Sequence, residues 1–308
     1  MMNAIKVKSC ATVANIVCGF DILGLCLDNP CDEFTVSISD EVGITIENID
    51  DYNLPTDPTK NVSGVALLKI LEQEKQIKGF HIISNKIIKP GSGIGSSAAS
   101  AAGVVVAANY LLGNKYSKQQ LVDFAMYGEE IASGSKHADN IAPAVFGGIT
   151  LIRSNSPLDI ISIDYPELFI TILHPQIEVK TADARNILPK EIPLKNAVKQ
   201  WANVAGLVTG FMQHDYDLIS RSLEDVVVEP YRSKLIPYFY EVKNAGKNAG
   251  ALGGGISGSG PSIVMLCKTA EIAANVELAM KNIYAKNGID FHTHTSKINK
   301  EGVKIIEV

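Results

Sequence analysis

Residues 90–100, Pro90-Gly91-Ser92-Gly93-Ile94-Gly95-Ser96-Ser97-Ala98-Ala99-Ser100, set three glycines and a serine pair ahead of a long alanine-rich stretch. Glycine reaches backbone angles that point successive N–H groups into one concavity, and its missing side chain lets a polyphosphate approach the main chain. The run from Ser96 to Leu112 predicts a helix, whose N-terminus adds unpaired N–H donors and a partial positive charge. The segment reads as a phosphate cradle that needs no lysine; the plain alternative is a glycine turn between a strand and a buried helix. It is not a Walker A loop, because Ser96-Ser97 follow Gly95 where Gly-Lys-Ser/Thr is required. It is not the dinucleotide fingerprint either, since Ser96 stands where the third glycine belongs.

At 308 residues the chain exceeds what one hydrophobic core usually serves, so two modest domains are expected. Apolar residues make up 46% and charged residues 20%, which supports packed cores and excludes a disordered chain. A net charge of −5, with no run of Lys or Arg, gives nucleic acid no electrostatic footprint. The longest apolar stretch, Ala98 to Leu112, is too short to span a bilayer, so no membrane partner and a cytoplasmic location are expected. Cys10, Cys18, Cys26, Cys31 and Cys267 form an odd set without CxxC spacing, which predicts free reduced thiols rather than a zinc site or a disulfide framework. Of 28 basic residues only Arg153, Arg185, Arg221 and Arg232 are arginines, and each gains weight as a bidentate anion binder.

Periodicity predicts strands over 5–12, 33–39, 44–46, 80–89 and 149–153, with helices over 61–76, 96–112 and 117–133. The Ser/Asn/Pro-rich stretch 154–160 reads as a connection between domains. Beyond it come strands at 169–174, 262–267, 291–298 and 303–308 and helices near 182–188, within 194–223, and at 233–248 and 270–286. The class is α+β, with helices expected on one face of a mainly antiparallel second sheet.

Two further segments stand out: Ala14-Asn15 through Gly19-Phe20-Asp21-Ile22-Leu23-Gly24, and a second glycine-rich turn from Gly253 to Ser262. Together the three segments resemble, in order and placement, the motifs of the GHMP kinase superfamily over the whole chain. Within it, Gly19-Phe20-Asp21-x-Leu23-Gly24, the 91–100 loop and Ser133-Gly134-Ser135-Lys136-His137-Ala138-Asp139-Asn140-Ile141-Ala142-Pro143 are most similar to the homoserine kinase family. The resemblance implies a two-domain fold, with residues 1–157 forming an ATP-binding domain like domain 2 of ribosomal protein S5 and 158–308 a ferredoxin-like domain. It also implies transfer of the ATP γ-phosphate to the side-chain hydroxyl of L-homoserine, with Mg2+ as cofactor, and is compatible with a homodimer. Another small-alcohol kinase of the superfamily, acting on shikimate, mevalonate or a sugar, and a non-catalytic metabolite sensor are the alternatives.

Phosphoryl transfer needs charge neutralisation and an aligned hydroxyl more than covalent chemistry. Ser97, at the helix start, is the natural hydroxyl for a magnesium ion. In the 117–133 helix, Val122, Ala125, Glu129 and Ala132 share one stripe by +3, +4, +3 spacing, so Glu129 faces inward as the metal carboxylate while Glu130 faces water. An ordinary salt bridge is its alternative. A zwitterionic acceptor needs separate anion and cation binders. Thr181 and Arg185, one helical turn apart, and Arg232 are the carboxylate candidates. Asn15 and Asp21 are placed by the resemblance at the hydroxyl and ammonium, and His137, Asp139, Asn140 and Gly255 at the acceptor. Asn140 occupies the position where some relatives carry an aspartate base, and an amide cannot take a proton, which favours direct proton transfer to the phosphate. Asn61 and Val62 resemble the nucleotide-side segment, although Asn61 also reads as a helix start. The first motif departs from the usual Asn-x-Gly-Pro-Gly-Phe-Asp: Val17-Cys18 replace Gly-Pro.

Overall fold

A computed structural model describes residues 4–75 and 77–307. The elements run β1 (Ala4–Ala14), β2 (Leu23–Ser39), β3 (Gly43–Asn48), α1 (Val62–Leu71), β4 (Gly79–Asn85), α2 (Ser96–Leu111), α3 (Lys118–Ser133), α4 (Ile141–Phe146), β5 (Ile149–Asn155) and β6 (Leu158–Ile163). There follow β7 (Phe169–Pro175), α5 (Thr181–Asn186), α6 (Leu194–Gln213), α7 (Tyr216–Ser222), α8 (Glu229–Arg232), α9 (Phe239–Asn248), β8 (Gly253–Ile256), β9 (Ile263–Cys267), α10 (Ala270–Lys286), β10 (Phe291–Lys297) and β11 (Lys304–Glu307).

The first sheet has the order β11-β1-β2-β4-β3, with the β5–β6 hairpin branching from β2. Only β3 and β4 are parallel among the described pairs. The stretch 154–160, expected as a connection between domains, holds the turn of that hairpin at 156–157 and the strand ends on either side of it, and β6 pairs with β5 along its length. The C-terminal strand also leaves the second sheet to pair with β1. Alternation alone could not show either, because a strand's partner is set by the chain's return path and not by its own pattern. Two strands were longer or hidden in the sequence: β2 begins at Leu23, and Gly253–Ile256, expected as part of a turn, is strand β8.

The second sheet, β10-β7-β9-β8, is antiparallel throughout. Both of its faces are covered, not one. Leu173, Ile263 and Met265 meet α9 and α10, while Ile170, Ile172, Val264 and Leu266 meet Leu207 and Phe211 of α6 and Leu23 and Leu25 of the first sheet. The continuously buried run in β9 is the signature of a strand with no wet side. The shared core between the sheets fixes the cleft that lies along their junction.

Helix termini follow local rules. Ser117 and Gln120 form a reciprocal capping box at α3, which ends on Gly134 in the left-handed region, and Thr269 caps α10. Helix α2 differs: it is buried nearly all round and starts at Ser96 with no side-chain cap. Cys10 and Cys31, expected as free thiols, face each other across β1 and β2 with Cα atoms 3.8 Å apart and are joined in a disulfide; Cys18, Cys26 and Cys267 are free and buried. Residues 21 apart in sequence gave no spacing signal for this pairing, which the strand register creates. Among the described residues no helix is long and apolar enough to cross a membrane.

Candidate active site

A cleft of about 690 Å³ runs between the sheets, with the phosphate loop on its floor. Pro90, Gly91, Gly93, Gly95, Ser96, Ser97 and Ser100 line it, whereas Ser92, Ile94, Ala98 and Ala99 turn into the core. Gly95 sits at φ +67° as the residue before α2, and a Cβ there would collide with the Thr12 hydroxyl. Gly93, at φ +78°, packs against the backbone of Gly260, where no side chain fits. The 257–262 turn buttresses the loop: Ser257 Oγ donates to Gly93 O (2.7 Å) and Ser262 Oγ to Ser92 O (2.6 Å). Thus the third glycine-rich motif supports the cradle from behind. Gly255, expected at the acceptor, is buried in β8 against Glu229 and Val17 and does not line the cleft.

Sequence reading missed the clamp beneath this loop. Lys86 Nζ donates to Asp32 Oδ2 (2.5 Å), Ser96 O (3.1 Å) and Ser100 Oγ (2.8 Å), and Asp32 Oδ1 accepts from the amides of Ile87 (2.6 Å) and Ile88 (2.8 Å). The two side chains are 2% and 0% exposed. Burial pushes the Asp32 carboxyl up, opposed by Lys86 and the two amides. The pair ties the end of β4 and the middle of β2 to the first turn of α2. No local pattern marks Lys86 or Asp32; their meeting depends on β2–β4 register.

Glu129 faces inward as its stripe predicts, and Glu130 is exposed. Burial pushes the Glu129 carboxyl up to about 7, against a hydrogen bond from Ser97, and its Oε2 is buried without a partner. An unpartnered buried carboxylate oxygen beside a hydroxyl is a donor set suited to a hard divalent cation that keeps other oxygen ligands. Among the described residues no three His, Cys, Asp or Glu side chains cluster to bind a metal unaided, so the phosphates of a nucleotide would complete the coordination.

At the far end, side chains from four segments converge. Arg185 donates to both carboxylate oxygens of Asp21 (3.2–3.4 Å) and to His137 Nε2 (2.9 Å). A guanidinium only donates, so His137 Nε2 is the lone-pair nitrogen and Nδ1 carries the proton. That Nδ1 is buried without a hydrogen bond, 3.8 Å from Asp21, and burial holds the imidazole below its ordinary pKa. Arg232 donates to Ala184 O (2.9 Å) and Gly258 O (2.8 Å). The expected alternative, a bridge to Glu229 or Glu224, does not form: those carboxylates pair with Lys243 and Lys199. Burial lowers Arg232 to about 10, still a cation at neutral pH. Both guanidinia lie over the ring of Phe20, at 5.7 Å and 5.0 Å from its centroid, a platform the sequence reading did not single out.

Asn15 Nδ2 donates to Gly258 O (3.0 Å) and its Oδ1 accepts from the Asp21 amide (3.0 Å), so it shapes the turn that presents Asp21. Asn15, Ile16 and Val17 all have positive φ (71°, 39° and 68°). The usual glycine is therefore missing from a position that favours it, and a β-branched side chain holds the left-handed conformation at a cost of about 1–2 kcal/mol. Asn140 Oδ1 accepts from Thr12 Oγ1 (2.7 Å), and Thr12 itself escaped the sequence reading. Asp139 is pushed up to about 7 by burial, then by Asp21 and Glu129. Thr181 lines the cleft one helical turn from Arg185. Asn61 caps α1 through Ser63 N and Gly64 N and donates to Pro55 O, so its polar atoms are engaged while it and Val62 form cleft wall.

A glycine-rich loop at a helix start, an inward glutamate beside Ser97 and a cluster of charged side chains occupy one cleft. The family models "GHMP kinases N terminal domain" and "GHMP kinases C terminal" match residues 61–148 and 207–286. The chain belongs to the GHMP kinase family. Its relatives include proteins named homoserine kinase from Chloroherpeton thalassium (47% identical, 96% of this chain and 97% of that protein) and Methanocella arvoryzae (38% identical, 99% and 98%). The crystal structure of homoserine kinase from Cytophaga hutchinsonii superposes with a TM-score of 0.95 at 48% identity, covering 99% of this chain and 98% of that one. A mevalonate kinase from L. major in complex with R-mevalonate shares the fold at 13% identity and a TM-score of 0.72, covering 96% of each chain. This GHMP kinase is thus an ATP-dependent small-molecule kinase, with the two-domain architecture of its family.

Proposed function

We propose that the protein phosphorylates the side-chain hydroxyl of L-homoserine, a cytoplasmic reaction of amino-acid biosynthesis. The observation that carries this reading is the Asp21–Arg185–His137 cluster with Arg232 beside it: fixed opposite charges in the same cleft as the phosphate loop. An uncharged alcohol such as a sugar gains nothing from them, and they would cost desolvation against it. A free zwitterion exchanges partners with the cluster. Its carboxylate takes the guanidinia of Arg185 and Arg232 and the Thr181 hydroxyl, and its ammonium takes Asp21 and Asp139.

Backbone N–H groups of the 91–97 turn and the uncapped start of α2 hold the nucleotide's terminal phosphates. The apolar wall of Leu54, Pro55, Val62 and Ile131 receives the adenine. Ser97 and Glu129 would hold Mg2+, which when bound neutralises charge on the transferring phosphoryl group. Asn140, fixed by Thr12, orients the acceptor hydroxyl. Its amide cannot accept the proton, which passes to the phosphate directly. A coupled ADP-release assay with L-homoserine, D-homoserine, homoserine lactone and shikimate tests the reading. Turnover with L-homoserine alone is expected, with the lactone, which has neither a free carboxylate nor a free hydroxyl, as the blank; equal turnover with shikimate would overturn the reading.

A further inference from the structure

Behind the acceptor end of the cleft lie two buried polar side chains that do not line it, Gln200 of α6 and Asp225. Helix α8, which ends on Arg232, has four residues and no side-chain cap at Val228. So short a helix does not hold its shape by its own hydrogen bonds. Asp225 supplies the acceptors its first turn lacks: Oδ1 accepts from the amides of Val227 (2.8 Å) and Val228 (2.9 Å), and Oδ2 from that of Glu229 (2.9 Å). Val228 and Glu229 are buried, where an unmet amide is costly.

Gln200 ties this turn to the first motif. Its Nε2 donates to Asp225 Oδ1 (3.0 Å) and Cys18 O (2.8 Å), and its Oε1 accepts from the Val226 amide (3.0 Å). The orientation of the side-chain amide is forced, because a backbone N–H only donates while a carbonyl and a carboxylate only accept. Cys18 lies three residues before Asp21, in the turn that also carries Phe20. On the other side of the link, Arg232 reaches Gly258 O and Ala184 O, the latter beside Arg185. One buried network thus joins the turn that presents Asp21 to the helix that presents Arg232. We propose that Gln200 and Asp225 are positioning residues, which set the spacing between Arg232 and Asp21 and so the fit of an acceptor that bridges them.

This inference rests on the reading of Arg232 as the binder of the acceptor's carboxylate, and two kinds of measurement separate the failure of one from that of the other. Asp225→Asn keeps the size of the side chain but turns an NH2 group towards an N–H donor. It should raise the homoserine KM about tenfold, with kcat and the ATP KM held within about twofold and the circular dichroism unchanged. Made in Arg232→Met, the same substitution should add less than about twofold, because the guanidinium through which it acts is gone. Gln200→Met, which cuts only the side-chain link, should move the same constant in the same direction and serves where Asp225→Asn does not fold. In a crystal structure of either variant Arg232 should leave Gly258 O. Wild-type protein inactive on L-homoserine, or Arg232→Met with an unaltered homoserine KM, would remove the acceptor reading and leave the crystal to decide; an Arg232 still seated on Gly258 O there overturns the positioning role whatever the acceptor is. Additive effects of Asp225→Asn and Arg232→Met, an ATP KM that rises with the homoserine KM, or a folded Asp225→Asn protein with wild-type constants would overturn it as well.

Discussion

At the phosphate end of the cleft the protein presents main chain: Gly91, Gly93 and Gly95, and the uncapped start of α2, held from below by one buried ion pair. At the acceptor end it presents side chains: Asp21, His137, Arg185 and Arg232, drawn from four separated segments and balanced against one another. Main-chain recognition suits a ligand shared by every family member, because amides read charge and not shape. Side-chain recognition suits the variable ligand, since each charge can be replaced without disturbing the fold. The two ends should therefore fail differently when cut.

The largest effect is expected at the clamp. Lys86→Met leaves Asp32 buried without its partner and should cost about 3–5 kcal/mol in chemical denaturation, with the affinity for ATP lowered. The paired variant Lys86→Met/Asp32→Asn should recover part of that loss. If Lys86→Met alters homoserine KM and spares stability, the comparison of the two ends breaks down. Next, Glu129→Gln should lower kcat about a hundredfold or more while homoserine KM holds, measured at saturating magnesium. Arg232→Met should do the reverse, raising homoserine KM by roughly 10–100-fold, the weight of a hydrogen bond to a charged group, with ATP KM unchanged.

The smallest effect, counted over one pH unit, concerns Asp139. Asp139 keeps its proton from its ordinary 3.8 up to about 7 in the folded protein, and the unfolded chain has released it across that window. The folded state binds more protons there, so its stability is highest at the acid side and falls as pH rises, by roughly 1.4 kcal/mol per unit from this group. Asp139→Asn should flatten that slope in thermal melts. Ionisation also frees the carboxylate for an ammonium, so homoserine KM should fall as pH rises through about 7 and kcat should show no acidic limb from Asp139. A kcat limb that disappears in Asp139→Asn would instead make it the proton acceptor.

The same contrast governs what could be read from the sequence. The cradle was legible because its parts are neighbours: glycines, the serine pair and the helix start fall within 90–100, and turn chemistry is local. Glu129 was legible because helical periodicity converts spacing into direction. The acceptor residues were reachable only through resemblance, because a lone Arg185 or Arg232 on a short helix has no periodic signal, and the resemblance also placed Gly255 in a site that its strand keeps it out of. The Lys86–Asp32 clamp, the Cys10–Cys31 link and the return of β11 to the first sheet all depend on which strands pair.

By itself, then, the sequence determined the glycine-rich turn, the main helices and the inward acid, since each is governed by interactions within a few residues. Only the tertiary structure decided that Asp21 and Arg185 neutralise each other and that Arg232 stands free of carboxylates. It alone joined a lysine on one strand's end to an acid in another strand beneath the loop. Those pairings are contacts between distant segments, and their free energy depends on register and burial that no stretch of sequence carries alone.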